Sequence, residues 1–239
     1  MEVSSIITWQ VKAADEMVDF IKSIMQIENY IFKGSITDKN LLDIYSDVDI
    51  CFKLSDATGI EERKLITALS EHFFNIIGYE LHSGNEEDTL RVCFENGWRF
   101  DLTFQYPKSK ESKQEDYSPD NSIESIINQF WYMSSMVLVK LGRKDFLVAS
   151  HLVLELYQLI IVVQMILRDK TKGTDIHRFG DSEDVPILHT LKQMNEDTTE
   201  KEIIYLLFKA AEHMDKISIS LLDVPERAGI LKALQMVNT

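Results

Sequence analysis

The chain has 239 residues, 45% hydrophobic and 27% charged, an ordinary globular composition with room for one large domain or two modest ones. Its 25 Lys and Arg stand against 39 Asp and Glu, a formal charge of −14. That balance weighs against general affinity for nucleic acid, which leans on cations to neutralise phosphates, and favours a cationic small partner.

Residues 1–17 contain no basic segment followed by an apolar core, so no secretory signal is expected. Cys51 and Cys93 both fall in predicted strands, and none of the six histidines pairs with a cysteine at zinc-ligand spacing. The expectation is two reduced core thiols in a cytoplasmic protein.

The first predicted helix, Ala13 to Met25, carries Met17, Phe20, Ile21 and Ile24 at helical spacing and acids near its start, where the helix dipole favours them. A strand from Asn29 to Lys33 follows and ends at Gly34-Ser35. Residues Ile36 to Ser46 read as a short helix or an irregular excursion. Asp47-Val48-Asp49-Ile50-Cys51-Phe52 then alternates as a half-buried strand, which turns both carboxylates to one face and Val48, Ile50 and Phe52 to the other.

That stretch carries the chemistry. Hard dications such as Mg²⁺ prefer carboxylate oxygens, and two such ions can clamp the attacking and leaving oxygens of a phosphoryl transfer. Gly34 lets the backbone approach a ligand closely, and exposed N–H groups beside the Ser35 hydroxyl suit a triphosphate.

Gly59 to Ile77 is predicted as a second helix through Leu65, Ile66, Leu69, Phe73 and Ile76, with Gly78 as its stop, and Tyr79 to Ser83 as a strand. Leu90 to Phe104 reads as a hairpin interrupted at Glu95-Asn96-Gly97. A two-residue Asn-Gly loop would pair Val92 with Asp101 and mix apolar with charged groups. A three-residue loop with Gly97 left-handed pairs Arg91 with Asp101 and Val92 with Phe100. The second register sends Leu90, Val92, Phe94, Trp98, Phe100 and Leu102 to the core, and puts Arg91, Arg99 and Asp101 on the face of the two acids. Arg91 and Arg99 then either contact nucleotide phosphates or balance the acids.

Residues 107–121 hold two prolines and many charges and read as a linker, giving a catalytic domain over 1–106 and a helical domain over 122–239. Ser122 can cap a helix running to Leu141, and a second runs from Lys144 to Asp169, the two joined at Gly142. Glu155, Gln158 and Gln164 interrupt the apolar run Leu152 to Leu167, which therefore reads as a buried helix and not a membrane span. A polar loop from Lys170 to Asp184 contains His177 and Arg178. Helices follow near Val185 to Met194, Thr199 to Ile217 and Pro225 to Val237.

An apolar residue, Gly-Ser, a spacer and Asp-x-Asp between apolar residues resembles the nucleotidyltransferase superfamily related to DNA polymerase beta. Gly34, Ser35, Asp47 and Asp49 fit the pattern, and the resemblance makes Asp101, in RFDLTF, the third acid. Phe130 to Asp145, FWYMSSMVLVKLGRKD, is similar to the first bundle helix of streptomycin adenylyltransferase-like members, within the antibiotic nucleotidyltransferases of aminoglycoside and lincosamide type.

The resemblance implies an α+β chain: a small mixed β-sheet nucleotidyltransferase domain with flanking helices, then an all-α helical bundle. It further implies transfer of a nucleoside monophosphate, AMP from ATP, to a hydroxyl of a small, aminoglycoside-like acceptor, with release of pyrophosphate. Asp47, Asp49 and Asp101 would hold two Mg²⁺ ions, and Gly34 with Ser35 would hold the β- and γ-phosphates. Glu155, a lone acid on an apolar face, would either deprotonate the acceptor hydroxyl or meet an arginine or solvent within the bundle. The alternatives are a nucleotidyltransferase acting on RNA or a protein partner, as in toxin–antitoxin pairs, and a non-catalytic nucleotide-binding descendant.

Overall fold

The computed structural model describes residues 9–38, 40–56, 60–107, 123–172, 198–222 and 226–237. Contacts divide the chain into two units, Met1–Pro119 and Asp120–Thr239. The expected linker beyond Pro107, the Ser122 cap, the loop with His177 and Arg178, and the helix Val185 to Met194 lie outside the described residues.

Among the described residues, the first unit is a five-stranded sheet with two α-helices. Helix α1 (Trp9–Ile24) buries Ala13, Ala14, Met17, Val18 and Ile21 along one stripe. It starts a turn earlier than its apolar pattern indicates, because its first turn buries a polar residue, Gln10. Ile24, expected on the core stripe, is 44% exposed at the helix end.

Strand β1 (Ile27–Lys33) leads through a 3₁₀ turn (Gly34–Thr37) and an irregular loop to β2 (Val48–Leu54). Helix α2 (Glu62–His72) buries Leu65 and Leu69. It stops well short of Ile77: Ile76 and Ile77 open β3 (Ile76–Ser83), and Gly78 lies inside that strand, opposite Cys93 beside a register shift. The expected Gly78 stop is therefore incorrect. The β-branched pair Ile76-Ile77 favours the pleated surface, and Phe73 leaves the helix to pack its ring against Phe20 and Phe94.

Strands β4 (Glu87–Phe94) and β5 (Arg99–Gln105) form the hairpin in the register that sorts the faces: Arg91 opposite Asp101, Val92 opposite Phe100, and Gly97 at φ 86°. Phe94 N–H donates to the Trp98 carbonyl and closes a three-residue loop. Trp98 is only half-buried and stacks on Trp9 at 5.5 Å.

The sheet order is β1-β2-β5-β4-β3, with β2 and β5 parallel and the other pairs antiparallel. Val48, Ile50, Phe52, Leu90, Val92, Phe100, Leu102 and Phe104 form one face, and the buried stripes of α1 and α2 join it in a single core. The alternate residues of each strand populate the other face.

Among the described residues, the second unit is helical: α3 (Ile123–Gly142), α4 (Phe146–Lys172), α5 (Glu200–Leu222) and α6 (Ala228–Val237). The α3–α4 corner turns on Lys144, at φ 60°, and not on Gly142, which remains helical. Residues Phe146–Arg168 are long and apolar enough to cross a membrane by length and composition, a test that the core helix of a bundle also meets. Helix α4 is one-sided: Val153, Leu156, Tyr157 and Ile160 are buried and Tyr157 donates to the Leu206 carbonyl on α5, while Leu154 and Val162 face outward. Thr199 and Glu202 form a reciprocal cap at the start of α5. The start of α6 is capped from α5, where Asp215 accepts the Arg227 and Ala228 N–H groups at 3.0 and 2.8 Å.

Candidate active site

The register of the four strand pairs draws one straight row across the polar face of the sheet. Lys33 on β1 lies opposite Asp49 on β2, Asp49 opposite Asp101 on β5, Asp101 opposite Arg91 on β4, and Arg91 opposite Glu80 on β3. Neighbouring strands are about 4.8 Å apart, so five charged side chains from five strands become near neighbours. Asp47 precedes β2 on the same side as Asp49, and the apolar Val48 and Ile50 that alternate with them are buried.

At the end of β1 the chain turns sharply beneath this row. Gly34 has φ 61°, a left-handed conformation that L side chains rarely adopt, and a Cβ there would sit 2.0 Å from Asp49 Oδ2. The Asp49 carboxylate thus occupies the space a side chain would fill. Ser35 is half-buried in the 3₁₀ turn, and its carbonyl accepts the Asp38 N–H.

The loop that delivers Asp47 is clamped from two sides. Asp43 and Ser46 close a turn on each other, with Asp43 Oδ1 accepting from Tyr45 N–H and Ser46 Oγ at 2.9 Å each. From α1, the Gln10 amide donates to the carbonyls of Asp43 and Ser46 at 2.7 and 3.1 Å. From β5, the buried Arg99 guanidinium donates to the Tyr45 carbonyl. Arg99 shares the face of Asp101 as expected, but its described bond is to backbone, where it holds the loop.

Burial, then Asp47, push the Asp101 carboxyl up to about 6; Arg91 opposes the shift and Asp49 adds to it. Asp49 is raised by the same two leading causes, with Arg91 and Lys33 opposing. Arg91 Nε donates to Asp101 Oδ2 at 3.2 Å, while Asp101 Oδ1 is buried with no hydrogen-bond partner. Three crowded acids, one with an orphaned oxygen, suit a hard dication, which takes oxygen donors and removes the repulsion. Among the described residues, no group of three or more His, Cys, Asp or Glu is arranged to hold a metal ion.

Glu155 belongs to the second unit, on α4. It is half-exposed and pairs with His151 one turn before it, at 3.0 Å. Lys33, Glu80 and Gln10 are site neighbours that the sequence reading passed over. Lys33 directly precedes Gly34 and could have been noticed; Glu80 and Gln10 enter only through strand register and a loop contact.

No protein-family model matches the chain, and no curated protein matches it. Among solved structures it is similar to the crystal structure of an aminoglycoside 6-adenyltransferase from Bacillus subtilis. The match has 15% identity and a TM-score of 0.37, over 94% of this chain and 96% of that one, a similarity too slight to assign an activity.

Proposed function

We propose that the protein is a metal-dependent nucleotidyltransferase that transfers a nucleoside monophosphate, AMP from ATP, to a hydroxyl of a small cationic acceptor and releases pyrophosphate. The observation that carries the reading is the approach of Asp49 on β2, Asp47 just before it and Asp101 on the adjacent β5, beside a left-handed glycine whose missing side chain makes room for Asp49. Asp47 and Asp49 would hold the metal, and Asp101 would complete the site. The metal supplies a lowered pKa for the acceptor hydroxyl and neutralises charge on the leaving pyrophosphate.

The chain's own residues do the positioning. Gly34 and Ser35 offer backbone N–H groups and a hydroxyl to the β- and γ-phosphates, and Lys33 brings a cation to the same turn. Gln10 and Arg99 keep the Asp47 loop rigid, so that the carboxylates are pre-placed. A second reading, a nucleotide-binding protein without turnover, draws support from the Arg91 hold on Asp101.

The test is mass spectrometry of a mixed panel of aminoglycosides, lincosamides and small RNAs incubated with the protein, the four nucleoside triphosphates and Mg²⁺. A mass gain of one nucleoside monophosphate on an aminoglycoside supports the proposal. A gain on RNA alone redirects it, and triphosphate binding without any gain favours the second reading.

A further inference from the structure

Arg91 stands between two carboxylates of the same row. Its Nε is 3.2 Å from Asp101 Oδ2 and its Nη1 is 3.7 Å from Glu80 Oε2. Both acids are about four-fifths buried, with side-chain exposures of 20% and 18%, while Arg91 is 42% exposed, so water screens these pairs only in part. His82 also meets Glu80, its Nε2 lying 3.0 Å from the same Oε2. A guanidinium carries five N–H donors in a planar fork, so a small rotation lets it trade one carboxylate for the other without backbone movement.

We propose that Arg91 is an exchangeable counter-ion: it holds Asp101 before a divalent cation enters the site, and moves onto Glu80 when one does. The inference rests on the nucleotidyltransferase reading above, which supplies the cation. With Arg91 on Asp101 the three acids are partly neutralised, at the expense of one oxygen, Oδ1, left without a partner. A dication beside Asp101 would repel Arg91, and Glu80 gives the displaced charge a carboxylate already within reach. Arg91 is thus a positioning residue that sets how readily the third acid becomes a metal ligand, and Glu80 is the receiver that makes the exchange possible.

Calorimetric titration of the full chain with Mn²⁺ alone, without nucleotide, tests this. Arg91→Met removes the competitor and should tighten Mn²⁺ binding about fivefold, the size of one partly screened ion pair. Glu80→Gln removes the receiver, leaves Arg91 on Asp101 and should weaken binding by about the same factor. In the Arg91→Met background, Glu80→Gln should change binding by less than about twofold, because the receiver then has nothing to receive. Arg91→Lys, which keeps the charge and loses the fork, should likewise bring the Glu80→Gln effect below about twofold, and it serves if Arg91→Met fails to fold.

Equal weakening by Glu80→Gln in all three backgrounds would mean plain long-range attraction and would overturn the exchange while leaving the metal site standing. Weaker binding in a folded Arg91→Met would overturn it too. If the wild-type chain binds no Mn²⁺ with or without a triphosphate, the metal reading itself fails and takes the exchange with it.

Discussion

Asp101 is pulled in two directions: its neighbours on β2 repel its charge, and Arg91 on β4 stabilises it. Burial, and after it repulsion from Asp47, prevail, since its carboxyl rises from 3.8 to about 6 despite the Arg91 bond. At Asp101 the folded protein therefore binds its proton more readily than the unfolded chain between these two values, and this group's contribution to stability falls as pH rises through that window. The full loss, on the order of 3 kcal/mol, is present above the folded value. Without metal, melting temperature should therefore decline from about pH 4 to pH 6.5 by this contribution, with Asp49 acting in the same direction. Asp101→Asn should flatten the decline. A slope as steep in the variant as in the wild type would show that the Asp101 carboxyl is not raised in the folded state.

At the scale of elements, the hairpin was legible because loop length and alternation leave one register that keeps charge out of the core, and Arg91 opposite Asp101 followed from it. The end of α2 was not legible. Phe73, Ile76 and Gly78 continue a helical spacing and a helical stop, and only the pairing of β3 with β4 makes them strand and approach to strand. The parallel pairing of β2 with β5, which aligns Asp49 with Asp101, joins residues fifty-two apart and leaves no local trace. The two acids could be named from their motif, whereas their alignment with Lys33 and Glu80 could not.

Tertiary caps were equally silent in the sequence. Asp215 is 4% exposed, and burial raises its carboxyl pKa even though it accepts two N–H groups at the start of α6. Asp215→Ala would leave those donors without their acceptor and should cost about 1–3 kcal/mol. Urea denaturation followed by circular dichroism reads that loss. An unchanged midpoint would mean that α6 is not anchored through Asp215.

At the scale of the whole molecule the surplus of acid is the dominant feature, and the metal ions of a single site cannot neutralise a charge of −14. A chain so acidic should draw a polycationic acceptor from a distance, and such attraction is screened as the Debye length shrinks from about 10 Å at 0.1 M salt to about 3 Å at 1 M. With metal and triphosphate saturating, the Michaelis constant of an aminoglycoside acceptor should rise several-fold between low and high salt, as expected for charge-steered association. A flat response would place the acids in a role of solubility alone.

The central claim is that Asp47, Asp49 and Asp101 form a nucleotide-transferring metal site, and the most direct measurement is pyrophosphate release with acceptor mass gain, compared between the wild-type chain and Asp49→Asn. An amide preserves the shape of the side chain that lies against Gly34 but cannot supply the charge that a pair of dications requires. The account predicts activity in the wild type and a fall of more than about a hundredfold in a variant with unchanged circular dichroism, since even outer-shell partners of metal ligands cost up to that much. A folded Asp49→Asn that transfers at a near-normal rate would contradict it.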